Sequence, residues 1–258
     1  MKGAIALVKK EMRCYFCSPV AYVIIGLFQL VMGIIFAKFV DIYMRYNTAQ
    51  RFGAAPQGIT LDKLAMYFYQ NMAFFLVIFT PLITMRLFAE EKRQQTLELL
   101  FTAPIREFEL VLGKFFAGYL LSVVMIALSL IYVLFMVMWG NPEVGIIVST
   151  YIGLLLSMAC YISLGTLISA MTSSQAIAAV WTFIVLLLLW LLQSLGQGVT
   201  AATGFIKWGA VMVNVSPLGH MTNFAEGVIH VKDVIYFFSF IGLMLFLTHR
   251  VIESNRWR

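Results

Sequence analysis

The chain has 258 residues, of which 62% are hydrophobic and only 12% charged, and its formal net charge is +6. A mean hydropathy of +0.91 excludes an ordinary soluble domain, where charged residues make up about a quarter of the total. The positive excess suits a membrane surface and calls for no nucleic acid.

The first segment, residues 1–18, contains GAIALVKKEMRCYFCSP. Ile5, Val8 and Met12 recur at helical spacing while Lys9, Lys10 and Arg13 fall elsewhere, which predicts a short amphipathic helix along the inner interface. Cys14 and Cys17 form a C-x-x-C pair without a second pair, too few ligands for a tetrahedral zinc site. An uncharged run near 19–40 follows. It is too long, and starts too late, for the core of a cleaved signal peptide, so it is expected to be the first span. A second span is expected near 66–85, with Pro81 kinking it and helping it hinge.

Arg86–Lys114, RLFAEEKRQQTLELLFTAPIREFELVLGK, joins the second and third spans. It holds five acids (Glu90, Glu91, Glu98, Glu107, Glu109) and five bases (Arg86, Lys92, Arg93, Arg106, Lys114). Leu97, Leu100 and Phe101 fall at i, i+3 and i+4, giving a helix through them an apolar stripe. Pro104 disfavours helix at Ala103, and a second helix then enters the membrane. A plain connector needs only a few polar residues. This one reads as a cytoplasmic docking surface for another protein.

Further apolar runs lie near 110–138, 145–171, 176–194 and 234–248, the second and third of these separated only by MTSSQ at 171–175. Six spans in all are expected. Between the last two, Gly196 and Gly198 are expected to break the fifth span, the half-apolar Val199–Val213 follows, and Ser216–Pro217 opens another short amphipathic piece. Residues 195–232 are therefore expected to form broken helices that re-enter the outer leaflet, because unpaired backbone is untenable in lipid unless protein buries it. With six spans and a cytoplasmic N-terminus, twelve of the 18 Lys and Arg fall inside. The positive-inside bias thus places both termini in the cytoplasm.

The centres of the six spans hold no ionisable residue, so no proton or sodium relay is legible. Gly113–Lys114 lacks the upstream Gly and the following hydroxyl residue of a phosphate loop. His220 and His230 have no matching acid and nucleophile, and Cys160 reads as a small apolar residue. The expectation is a non-catalytic subunit without a cofactor of its own. Any uphill movement must be powered by a partner.

Three stretches resemble the type-2 ABC exporter permeases, and more closely the subgroup annotated with gliding motility and copper-enzyme maturation. They are KKEMRCYFCSPVAYV (9–23), TMRLFAEEKRQQTLELLFTAPIREFELVLGK (84–114) and SPLGHMTNFAEGVIHVKDVIYF (216–237), the last running on into RVIESNRWR. Together they cover about a third of the chain, and the middle one is the specific match. Gln95 departs from the pattern: relatives usually carry Gly there, so altered local helix geometry is expected with the stripe retained.

The resemblance implies one all-α transmembrane domain over 1–258. It would comprise an interfacial helix (1–18), a cytoplasmic coupling region (86–107) and an extracytoplasmic re-entrant region (195–232). It implies a second permease chain, as homodimer or heterodimer, and a cytoplasmic ABC ATPase that binds ATP and Mg. Glu90, Glu91, Leu97, Glu98, Leu100 and Phe101 would form the coupling helix seated in that ATPase. An extracytoplasmic auxiliary protein is a further partner left open. The location implied is the bacterial inner membrane. The dimer interface of such permeases is lined mainly by the first, second and fifth spans. Here these carry Phe28, Phe36, Phe68, Phe74, Phe75, Phe79, Trp181, Phe183 and Trp190. With Pro81, the residues Phe28, Phe36, Phe75, Phe79, Trp181 and Trp190 mark a candidate path for an amphipathic or lipid-like cargo. Two other readings stay open: a membrane anchor that couples ATP hydrolysis to envelope or motility machinery without transport, and a passive channel or scramblase.

Overall fold

The computed structural model describes residues 2–51, 61–96, 106–139, 143–200 and 208–256. Among these residues there are eleven helices and no strand. The chain is an all-α polytopic membrane protein. Six of its helical stretches are long and apolar enough to cross a bilayer: Pro19–Thr48, Ala65–Arg93, Glu107–Met138, Val144–Met171, Gln175–Gly196 and Val231–Ser254.

In chain order the helices are α1 (Lys2–Cys17), α2 (Pro19–Arg51), α3 (Leu61–Thr84), α4 (Ala89–Arg93), α5 (Glu107–Leu128) and α6 (Leu130–Trp139). They continue with α7 (Val144–Met171), α8 (Gln175–Thr200), α9 (Trp208–Val215), α10 (Pro217–Ala225) and α11 (Val231–Arg256).

The spans divide into centre and periphery. The most apolar stretches of α3 and α7 are 67% buried, against 17% to 33% for the other four spans. A helix that is apolar all round must meet either protein or lipid. In α3 and α7 protein covers most of it, whereas α2 leaves Tyr22, Val23, Leu27 and Leu30 on the outside. The central pair approach closely at Gly165 of α7, where a Cβ would fall within 2.6 Å of Thr84 Cβ. Small residues permit this kind of contact between membrane helices.

Three departures from the sequence reading have local causes. The third span is interrupted at Ser129, between α5 and α6. The Ser129 hydroxyl donates to the Ile126 carbonyl at 2.6 Å and lies 3.0 Å from the Tyr151 hydroxyl. Back-bonding of this kind competes with the helical ladder and bends helices. The second departure corrects the expected break at Gly196 and Gly198: α8 runs through both to Thr200. A helical glycine costs about 1 kcal/mol. At Gly196 the missing side chain lets α9 lie against α8, since a Cβ there would sit 2.7 Å from the Gly209 carbonyl oxygen. Third, although α3 ends at Thr84, close to the expected end near 85, the connector does not leave the bundle at once. After a turn over Met85–Phe88 the chain becomes helical again as α4.

α9 and α10 form the short broken pieces before the last span, α9 along α8 and α10 against α7. They are pinned to α11 by polar contacts. His220 Nδ1 lies 2.6 Å from Asp233 Oδ1 and its Nε2 lies 2.9 Å from the Asn214 carbonyl oxygen. Asn223 donates to Asp233 Oδ2 at 2.8 Å, and the His220 ring stacks on Tyr236 with centroids 4.0 Å apart. The acid partner that the sequence reading could not find for His220 is thus Asp233, and the pair clamps helices together.

Candidate coupling site

The charged connector begins as part of the bundle. The N–H groups of Phe88 and Ala89 donate to Ser169 Oγ of α7 at 3.0 and 3.1 Å. Lys92 donates to the Ala170 carbonyl at the end of the same helix. The first turn of α4 has orphan N–H groups, and a buried serine on a neighbouring helix satisfies two of those near its start.

Lys114 is the centre of the junction. It lies in α5, two turns from its start, and is 1% exposed. Its ammonium meets Glu91 Oε1 at 2.8 Å and Glu11 Oε1 at 3.5 Å, and it donates to the Leu87 carbonyl. The Phe88 ring lies over it at 5.0 Å. Three donors thus face three acceptors, as a buried ammonium requires. One side chain thereby ties α1, the turn before α4, α4 itself and α5 together. Glu91 Oε2 has no hydrogen-bond partner among the described residues.

Arg86 holds Glu90 across one helical turn, Nε to Oε2 at 2.9 Å. Tyr15 of α1 donates to the Ile83 carbonyl of α3 at 3.2 Å. Burial first, and then the Glu11 carboxylate, raise the Tyr15 phenol well above its ordinary pKa. These groups wall an open cleft of about 300 Å³ between α1, α4 and α5, which also touches Lys10, Cys14, Gln94 and Thr96. On α1 the inward face is Leu7, Glu11 and Tyr15, while Ile5 of the amphipathic stripe points away from the bundle.

α4 ends in a Schellman arrangement: Gln95 N–H reaches the Lys92 carbonyl at 3.3 Å and Thr96 N–H the Glu91 carbonyl at 3.0 Å. Gln95 carries φ of 57°, the left-handed conformation that glycine adopts without penalty. Gln95, where the resemblance led to an expectation of altered local geometry, is a position where the backbone favours glycine.

A family model described as ABC-2 family transporter protein matches residues 5–252. The chain belongs to the ABC-2 transporter family. It is a multi-pass permease subunit of an ABC transporter, a class that works with an ABC ATPase subunit. No curated protein matches the sequence.

Of the residues expected to couple this ABC-2 permease to its ATPase, Glu90 and Glu91 are ion-paired within the chain, to Arg86 and Lys114. Leu97, Glu98, Leu100 and Phe101 lie outside the described residues. Of the aromatic path candidates, Phe28 and Phe79 are buried edge-to-face against each other at 5.4 Å. Phe36 joins a cluster with Phe68 and Tyr132. Phe75 is half-buried beside Phe74, Trp190 sits 4.9 Å from Phe74, and Trp181 is 55% exposed. Pro81 is inside α3, removing one ladder bond just before the turn at Met85. Sequence reasoning missed Lys114, Glu11 and Ser169. The one available signal for Lys114 was a lysine well inside an otherwise apolar run.

Proposed function

We propose that this ABC-2 permease moves an amphipathic or lipid-like, envelope-related molecule, driven by a separate ATPase that docks on residues 97–101. The ion-paired junction around Lys114 supports this reading most directly. A lever works only if its root is stiff, and Lys114 joins the root of the connector to α1 and α5 in a single buried contact. In this reading Glu90 and Glu91 hold the root, while Leu97, Leu100 and Phe101 fill the ATPase groove and Glu98 orients it. Glu91 Oε2, without a partner among the described residues and at the wall of the cleft, offers an incoming donor a place.

The partner ATPase binds ATP and Mg, and the permease itself is non-catalytic and carries no cofactor. The unit is one domain over 1–258, two such chains (identical or not) complete the transporter, and an auxiliary protein outside remains compatible with it. The location is the bacterial inner membrane with both termini cytoplasmic, and the subgroup is the motility and copper-enzyme-maturation one. The more accessible aromatic residues of α2, α3 and α8, among them Phe36, Phe75, Trp181 and Trp190, supply an apolar route where these helices meet the second chain, while Phe28 and Phe79 pack behind it. A coupler of ATP hydrolysis to envelope machinery would use the same root and dock, and direct transport assays separate the two readings.

The test replaces Leu97 and Leu100 with Ser. Each large apolar side chain buried against a partner contributes about 1.5–3 kcal/mol, so ATPase pull-down should weaken by roughly several tens-fold or more. Membrane insertion should be unaffected. Glu98→Lys should act through a salt-dependent change instead. Wild-type binding and ATP turnover by the double Ser variant would overturn the docking assignment.

A further inference from the structure

A second cleft, of about 400 Å³, opens between α3, α8 and α10. Gln70 and Asn71 line it from α3, and Trp190, Gln193 and Ser194 from α8. None of its described lining residues is charged. Along α3 its nearest lining residue, Phe74, lies about 15 Å from Thr84, away from the Lys114 junction.

Gln193 makes this more than a surface dent. It is 7% exposed, and its Oε1 is buried without a hydrogen-bond donor among the described residues. Buried polar groups are satisfied in the great majority of cases, and a lone buried acceptor carries an unrecovered desolvation cost. Next to it stands an aromatic wall, Trp190 on Phe74 at 4.9 Å. Charged ligands would find no counter-charge among these residues, and purely apolar ones would leave Gln193 Oε1 unpaired. A neutral group with several hydroxyls fits both halves: hydroxyls donate to Gln193 Oε1 and accept from the amide N–H groups, while its C–H face lies on the indole.

We propose that this cleft binds a neutral, polyhydroxylated group, the chemistry shared by a glycolipid head and a free sugar. It would receive the polar end of the amphipathic cargo, and for that transport role it rests on the function proposed above. The binding itself is measured without the ATPase, so its failure is distinct from a failure of coupling.

The full permease chain is placed in lipid nanodiscs prepared without sugar-headed detergents. Native mass spectrometry then compares retention of diglucosyl diacylglycerol with that of phosphatidylglycerol bearing the same acyl chains. Wild type should prefer the neutral glycolipid by about tenfold, and Gln193→Leu should lose roughly three- to tenfold of that preference. Trp190→Ala should lose it too, with Trp190→Phe retaining part. Asn71→Leu, at an exposed position, provides the same test should Gln193→Leu not fold. Competition by free maltose assigns the site to soluble sugar, and its absence assigns it to the lipid-borne head; either result supports the site. Equal retention of the two lipids by wild type, or an unchanged preference in Gln193→Leu accompanied by a raised melting point, would overturn it. In that case Gln193 is merely an unsatisfied packing residue.

Discussion

Gln95 and Lys114 show how much a single side chain decides in this permease. A residue other than glycine in the left-handed region costs about 1 kcal/mol, so Gln95→Gly should raise the thermal midpoint while Gln95→Val lowers it. Both changes should be localised by faster or slower proteolysis after Arg93. Lys114→Met should be severe, about 3–5 kcal/mol, because it leaves the largely buried carboxylates of Glu91 and Glu11 without their ammonium. Adding Glu91→Leu to Lys114→Met should return most of that loss, as thermal unfolding of the single and double variants would reveal. If the single change alone has no effect, the junction is not holding the helices. The glycine-like position was visible in the sequence as a departure from a familiar pattern. The ion-paired lysine was not, because its acids come from residues 103 and 23 positions earlier, and nothing local links them.

Among helices, the contact of α7 with α3 is a tight constraint. Gly165→Val should cost about 1–3 kcal/mol through overpacking against Thr84, and Thr84→Ala in the same chain should recover part of it. A melting series of the three variants decides this; equal and additive losses would mean that the two residues do not meet. The six spans and their order were readable from apolar length alone, because every buried backbone group in a bilayer must be bonded within its own segment. Helix interruptions were not. Ser129 breaks the third span through its own hydroxyl and through Tyr151, 22 residues away, while Gly196 stays helical because α9 packs over it. Whether a small or polar residue ends a helix depends on its neighbours in space.

At the scale of the whole molecule, sidedness is the property that a labelling experiment can settle. With Cys14, Cys17 and Cys160 replaced, single cysteines introduced at Arg51 and Trp208 should react with an impermeant reagent from outside sealed cells. Those introduced at Gln94 and Trp257 should react only after lysis. External labelling at position 94 would invert the proposed orientation and separate the connector from any cytoplasmic ATPase. The amino-acid sequence by itself determined that this protein lives in a membrane, how many times it crosses, and which connector is too charged and too amphipathic to be a mere joint. Those are sums over local composition and length, since the bilayer acts on each segment separately. Only the tertiary structure decided that α3 and α7 are the buried centre, that Glu90 and Glu91 turn inward to Arg86 and Lys114, and that Gln193 stands beside a cleft without a donor among the described residues. Such facts depend on which faces of nearly featureless apolar helices meet. Close packing at a few small residues and pairing of a few buried charges select those faces, and neither leaves a periodic trace along the chain.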